Sequence, residues 1–357
     1  MTNSIRTKVM RAQSILGEFE LKVQQLEGIV GQEQLRAELA YLLYVSIDDQ
    51  CKRTVSIDID LFNRTLELLL EKLERALENN RKEKLDKRII QDTSSAEMVE
   101  FTKELWGRTW SVVDKEAFIS SAGFLKERFE LNGLKTDFIK GLDCLDFGCG
   151  SGRYCLALLE LCANSVHGVD FSPSNIDLAQ QRIEELSDKK NIRFEQGDIT
   201  RIFQDVDGAY DFIVAQGIIS CLEAPIEALH ILYRILKPGG KLYLFAYGST
   251  ERGVYWKLFD VVRLLLKPVP MGQAQEIFES LKAKSNHISS MFDGGYATFQ
   301  HRFIREDIEI EFESIGFQIV KTMNRGKIYE TNERVFRYPQ EELFWGNEEL
   351  RYLLRKV

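Results

Sequence analysis

The stretch Leu142-Asp143-Cys144-Leu145-Asp146-Phe147-Gly148-Cys149-Gly150-Ser151-Gly152-Arg153 decides how the rest of the chain is read. It opens as a short apolar strand, passes into a loop with glycine at alternate positions, and continues into a helical pattern, Tyr154-Cys155-Leu156-Ala157-Leu158-Leu159. Glycines at that spacing let the backbone turn tightly and approach a ligand with no Cβ in the way. Such a loop suits a nucleotide-like molecule. It also suits an ordinary strand-to-helix turn, so the surrounding sequence has to decide.

Downstream, apolar strand-like runs alternate with helical patterns. The runs are residues 165–169, 192–194, 212–215 and 241–246, with helices expected near 174–186 and 225–236. This βαβ alternation predicts a doubly wound parallel sheet, with ligands at the carboxyl ends of its strands. Further on, residues 306–315 read as a helix stopped by Gly316, and residues 317–322 as a strand. A final strand is expected near residues 333–338 and a short helix at 347–356.

Upstream the character changes. The first hundred residues contain no proline, whereas every proline lies after residue 172. Ile5, Val9, Ala12, Leu16, Phe19, Val23, Leu26 and Val30 alternate at four- and three-residue steps, which places them on one face of a long helix ended by Gly28 and Gly31. Helices at about 32–46 and 58–79 complete an all-α N-terminal region, a bundle or hairpin over residues 1–90. A seam inside one molecule accounts for the stripe, and a coiled coil to a second copy or another protein is the alternative. The mixed-sign run at 80–88 reads as a helix end or linker.

With 357 residues, 44% of them hydrophobic, the chain can bury one large core or two smaller ones. Its net charge of −8 disfavours nucleic acid as a partner. No run approaches the apolar length of a membrane span, and the opening residues lack the core of a signal peptide, so a cytoplasmic location is expected. The six cysteines form no CxxC pair and no histidine follows at ligand spacing, so no metal is expected and the thiols read as small buried residues.

Asp170 stands about twenty residues beyond the glycines at the end of the second strand, where a carboxylate can accept hydrogen bonds from ribose hydroxyls. Phe171 offers a flat face for a base. Asp198, in Gln196-Gly197-Asp198-Ile199, closes the third strand, where it suits an exocyclic amine or caps a helix. An NAD-type loop would carry glycine where Arg153 stands.

With these pieces in order, residues 140–247 resemble the class I S-adenosylmethionine-dependent methyltransferases. The matching motifs are Asp146-Phe147-Gly148-Cys149-Gly150-Ser151-Gly152, Gly168-Val169-Asp170-Phe171-Ser172, Gly197-Asp198, Tyr210-Asp211-Phe212-Ile213-Val214-Ala215-Gln216-Gly217 and Leu236-Lys237-Pro238-Gly239-Gly240-Lys241. The resemblance implies a seven-stranded Rossmann-like sheet over residues 91–357, with the last strand inserted antiparallel and a lid insertion at about 248–303. It implies that Gly148, Gly150 and Gly152, supported by Asp146, face the methionine part of S-adenosyl-L-methionine. Asp170 would hold the ribose, Phe171 would pack on adenine, and Asp198 with the Ile199 amide would read its edge. Gln216 and Gly217 would flank the sulfonium, and Trp106, Arg108 and Trp110 are candidates to clamp the methionine carboxylate.

The implied reaction is methyl transfer to an oxygen or nitrogen of a small-molecule acceptor. Relatives often carry a histidine just after the fourth strand, but here the sequence is Gly217-Ile218-Ile219-Ser220-Cys221-Leu222. His301, in Asp293-Gly294-Gly295-Tyr296-Ala297-Thr298-Phe299-Gln300-His301-Arg302, is the candidate base or substrate contact, and a solvated loop histidine is the alternative. The apolar positions of the lid, from Tyr255 to Leu266, either line a substrate pocket or pack the lid. Methylation of RNA or protein, and a non-catalytic S-adenosylmethionine-binding module, are the alternatives for the whole chain.

Overall fold

The computed structural model describes residues 2–26, 31–51, 58–80, 95–186, 191–249, 254–323 and 349–357. In chain order the helices are α1 (Thr2–Gln24), α2 (Glu33–Cys51), α3 (Ile59–Asn80), α4 (Ser95–Ser111), α5 (Lys115–Ala122), α6 (Phe124–Leu131), α7 (Arg153–Glu160), α8 (Pro173–Leu186), α9 (Ile199–Ile202), α10 (Pro225–Ile235), α11 (Tyr255–Leu266), α12 (Met271–Ser280), α13 (Ser285–Tyr296) and α14 (Arg305–Ile315). The strands are β1 (Asp143–Phe147), β2 (Ser165–Asp170), β3 (Ile192–Gln196), β4 (Tyr210–Gln216), β5 (Leu236–Tyr247), β6 (Phe317–Met323) and β7 (Glu349–Lys356). They form two compact units, one from within residues 1–99 and 250–297, the other from within 100–249, 298–335 and 349–357.

Among the described residues, the secondary structure of the first unit is all helix. Val9, Ala12, Leu16, Phe19, Val23 and Leu26 are all buried, so the stripe read from the sequence is a seam within the molecule. Its solvent side carries ion pairs such as Lys22–Glu74 and Lys72–Glu38, both at 2.9 Å. Helices α11 to α13 occupy the stretch expected as a lid, and Trp256, Leu258, Phe259, Val262, Leu265 and Leu266 are buried in this unit. They pack helices against one another rather than standing open. Gly294 and Gly295 fit this packing, since a Cβ on either would come within 2.3–2.5 Å of Phe259 or Leu266. Helix α2 runs five residues beyond its expected end, and its Asp48 meets His287 of α13 at 3.2 Å.

The second unit is built on one sheet in the order β3-β2-β1-β4-β5-β7-β6. Strands β1 to β5 pair in parallel, as near-continuous apolar runs between helical layers require. β7 is antiparallel to both β5 and β6. One face is packed by Phe203, Leu229, Leu232 and Phe312, the other by Phe129, Leu156, Leu158 and Phe118. The tail therefore corrects the sequence reading. Residues 349–356, expected within a short helix, are the antiparallel strand itself, because Leu350, Tyr352 and Leu354 alternate with period two and pair across β5 and β6. The strand expected near 333–338 lies outside the described residues. Among the described residues, no helix is long and apolar enough to cross a membrane.

Candidate functional site

Strand β1 ends at Phe147, and the glycine loop turns into α7 with positive φ at Gly148 (81°), Gly150 (51°) and Gly152 (85°). Gly150 is doubly constrained: its φ lies in the left-handed region, and a Cβ there would stand 2.7 Å from Trp110 Nε1. Trp110, on α4, thus lies directly on the loop, and the Arg153 guanidinium sits 4.9 Å from its ring centre. Of the other clamp candidates, Trp106 is half-buried and Arg108 pairs with Glu104 at 2.9 Å.

Two buried acids flank the loop. Asp170, 9% exposed, accepts from the Gly150 amide through Oδ2 at 2.8 Å, and from the Ser172 amide and Asn175 Nδ2 through Oδ1, both at 3.0 Å. Burial raises its carboxyl above the usual range, and these three bonds oppose the rise. Asp146, 1% exposed, accepts from Cys155 Sγ at 3.4 Å. Burial pushes its carboxyl up to about 7, against the pull of Cys155 and the Arg153 charge and reinforced by Asp170. Burial likewise pushes the Cys149 thiol up to about 11. Cys144, Cys149 and Cys155 are buried as expected, whereas Cys162 is exposed and Cys221 half-buried. Ser151, 1% exposed, has a buried Oγ with no hydrogen-bond partner among the described residues.

Phe171 follows Asp170 and is faced by Lys103 Nζ of α4 at 5.5 Å from its ring centre. Helix α4 can lie this close because Gly107 presents no side chain to Ser174, whose Oγ would be 2.4 Å from a Cβ there. Asp198 is the N-cap of α9. Its Oδ1 accepts from the Thr200 amide at 2.9 Å and from Thr200 Oγ1 at 2.6 Å, while Oδ2 stands 3.3 Å from Arg201. Asp198 thus caps α9, with Ile199 buried behind it.

At the carboxyl end of β4, Ile218 packs on the glycine loop, since a Cβ on Gly148 would lie 2.9 Å from Ile218 Cγ1. Gly217, with φ 77°, donates its amide to Phe245 O at 3.1 Å. The turn Ile219–Cys221 follows, and Ser220 Oγ accepts from the Tyr247 amide at 2.8 Å. His301 is tied to this same turn: its amide donates to Ser220 O at 2.7 Å, and the Phe303 amide donates to Tyr247 O at 2.9 Å. The His301 ring stacks on Phe299 with centroids 6.2 Å apart, and its buried Nε2 has no hydrogen-bond partner among the described residues. The structure therefore gathers Asp146, the three glycines, Asp170, Gln216, Gly217 and His301 at the carboxyl ends of β1, β2, β4 and β5.

The other histidines lie elsewhere. His230 is exposed on α10, and His287 is paired with Asp48 in the helical unit. His167, inside β2, takes the Tyr210 hydroxyl at 2.6 Å and Arg193 Nη2 at 3.1 Å on Nδ1. Burial and the Arg193 charge bring its pKa down to about 4. Not anticipated from the sequence was a buried polar network under Gln216, made with Tyr243 of β5 and Arg351 of β7. The period-two alternation around Arg351 was the signal that could have found it. Among the described residues, no group of three or more His, Cys, Asp or Glu could hold a metal ion.

A seven-stranded sheet of this order with one antiparallel strand, and a glycine loop braced by the acid at the end of β2, is the architecture of the class I S-adenosylmethionine-dependent methyltransferases. The family model of the methyltransferase domain matches residues 139–296. The chain is 33% identical over 112 residues to an arsenite methyltransferase of Aquipseudomonas alcaligenes, covering 29% of this chain and 32% of the relative. It is 31% identical over 128 residues to a malonyl-[acyl-carrier protein] O-methyltransferase of Halalkalibacterium halodurans, covering 34% and 44%. The chain thus spans less than half the length of these two relatives. Among solved structures, a 1,6-didemethyltoxoflavin-N1-methyltransferase of Burkholderia thailandensis is 13% identical with a TM-score of 0.43, covering 76% of this chain and 93% of that one.

Proposed function

We propose that this protein transfers a methyl group from S-adenosyl-L-methionine to an oxygen or nitrogen of a small molecule. The observation that carries the reading is the loop itself: Gly150, which has no room for a side chain, is tied by its amide to buried Asp170, with buried Asp146 beside it. Two carboxyl groups beside a backbone cradle suit a ligand that carries cationic and hydroxyl groups. The unpartnered Ser151 hydroxyl is a further group that a polar ligand at this loop would satisfy.

When bound, S-adenosylmethionine supplies an electrophilic methyl group on a sulfonium, reached in line by a nucleophile. Gly148, Gly150 and Gly152, with Asp146 beneath, hold its methionine part, and Trp110 covers that end of the loop. Asp170 holds the ribose. Three of its roughly four lone-pair sites are already filled, so it has room for about one hydroxyl rather than two. Phe171 packs on adenine, and Asp198 acts through the Ile199–Thr200 turn that it caps. Gln216 and Gly217 flank the transfer point, and His301 accepts a proton from the nucleophile or orients it. The acidic balance of the chain speaks against RNA as acceptor.

Calorimetric titration with S-adenosylhomocysteine, followed by transfer of a radiolabelled methyl group into small-molecule extracts, tests the reading. Binding and a labelled small product are expected. No binding refutes the cofactor, and binding without transfer to any small molecule, RNA or protein points to a non-catalytic module.

A further inference from the structure

Strands β4, β5 and β7 place Gln216, Phe245 and Arg351 in one row, Gln216 opposite Phe245 and Phe245 opposite Arg351. Tyr243 lies two residues before Phe245 and so shares its face of the sheet. On that face Tyr243 donates its hydroxyl to Gln216 Oε1 at 3.0 Å. Arg351 Nη1 donates to the same Oε1 at 3.3 Å and to the Tyr243 oxygen at 3.1 Å. Its Nη2 donates to Glu349 at 3.0 Å, and the guanidinium carbon stands 4.1 Å from the Phe245 ring centre. Arg351 is 4% exposed and Tyr243 fully buried.

The chemistry of this row is directional. Arginine only donates, and the tyrosine oxygen that accepts from it passes its own proton to Gln216. Both donors converge on Oε1, so the amide cannot turn over without setting its NH2 against the guanidinium and the hydroxyl. The Gln216 Nε2, which makes no hydrogen bond among the described residues, is then the group offered to the site. Gln216 is two residues from Ile218, which packs on Gly148 of the cofactor loop. Glu349 balances the Arg351 charge, so the row presents a neutral donor beside a cationic sulfonium.

We propose that Arg351 is a positioning residue that, through Tyr243 and Oε1, fixes Gln216 as a hydrogen-bond donor, so that the site selects acceptors with an oxygen able to accept that bond, such as a phenolate, carboxylate or carbonyl neighbour of the nucleophile. This rests on the methyltransferase reading above. A lysine at 351 retains the charge but not the planar fork that reaches both oxygens.

The test uses the full chain as wild type, Arg351→Lys, Arg351→Met and Tyr243→Phe. Protein labelled with nitrogen-15 in its glutamine side chains gives the Gln216 Nε2 resonance, assigned as the one missing from Gln216→Leu. Arg351→Met and Tyr243→Phe are expected to shift it, with Arg351→Lys between them and wild type, while calorimetric affinity for S-adenosylhomocysteine stays unchanged. Methyl transfer at saturating cofactor, screened over simple phenols, carboxylic acids and primary amines, is expected to favour the oxygen compounds. In Arg351→Met it should fall about tenfold, the worth of one well-placed hydrogen bond. An unmoved Gln216 resonance in Arg351→Met, or transfer confined to amines, overturns this inference while leaving the methyltransferase reading intact. A wild type that binds no S-adenosylhomocysteine overturns that reading and this inference with it.

Discussion

Replacing Asp146 by asparagine isolates the buried charge under the glycine loop. Asparagine is nearly isosteric and keeps an oxygen for the Cys155 thiol, whose Sγ is 3.4 Å from the carboxylate in the native protein. Burial lifts the Asp146 carboxyl from its ordinary 3.8 to about 7. Below pH 3.8 the group is protonated whether the chain is folded or not, and it costs the fold nothing as a charge. Between pH 3.8 and about 7 the folded chain holds a proton that the unfolded chain has lost, so stability falls as pH rises. Above about 7 the carboxylate is ionised in both states and the full penalty remains. At about 1.4 kcal/mol for each pH unit, that penalty is about 4 kcal/mol. Asparagine has no such penalty. The stability of Asp146→Asn relative to wild type is therefore expected to climb by about 3 kcal/mol from pH 4 to pH 7 and to level off within about a unit above it. Urea denaturation at intervals across that range measures the difference, and Asp170, present in both proteins, largely cancels. A difference independent of pH would refute the reasoning.

Other parts of the structure give sharper or simpler expectations. Gly150→Ala places a methyl group 2.7 Å from Trp110 Nε1 at a φ of 51°, and should cost more than about 1 kcal/mol in stability and abolish S-adenosylhomocysteine binding in calorimetry. Asp170→Ala releases the Gly150 amide, and its affinity for S-adenosylhomocysteine should drop about tenfold or more. His167, with its pKa brought down to about 4, should stay neutral through pH 5.5 in nitrogen-15 spectra, its Nδ1 unprotonated beneath the Tyr210 hydroxyl. A resonance titrating near 6.5 would contradict that assignment. Asp48→Leu removes the carboxylate that stands 3.2 Å from buried His287 Nε2, and denaturation should show a loss of about 1–3 kcal/mol.

The parts of this chain that the sequence made legible are those whose signal is local. The glycine loop, the acid closing β2 and the alternation of apolar runs each need only a dozen neighbouring residues to be read, and all reappear in the sheet at their expected places. Asp198 was legible only as a pair of alternatives, because an acid before a helix reads the same whether it meets a ligand or caps the helix. The Thr200 bonds that make it a cap are formed within two residues but leave no mark in composition. His301 lies eighty-one residues beyond Ser220 in the chain, and the pairing of its amide with Ser220 O and of Phe303 with Tyr247 brings it to the end of β4. Arg351 shows the same limit more strongly. Its segment carries both a helical and an alternating apolar pattern, and pairing with β5 and β6, distant in the chain, settles it as a strand. Once there, the strand sets a buried arginine opposite Phe245, in the same row as Gln216, and that row exists only in the folded sheet. The proposed donor site lies on consecutive strand ends and can be read along the chain. The row proposed to meet the acceptor is assembled across strands, so a variant of β7 is where acceptor choice should change while cofactor affinity does not.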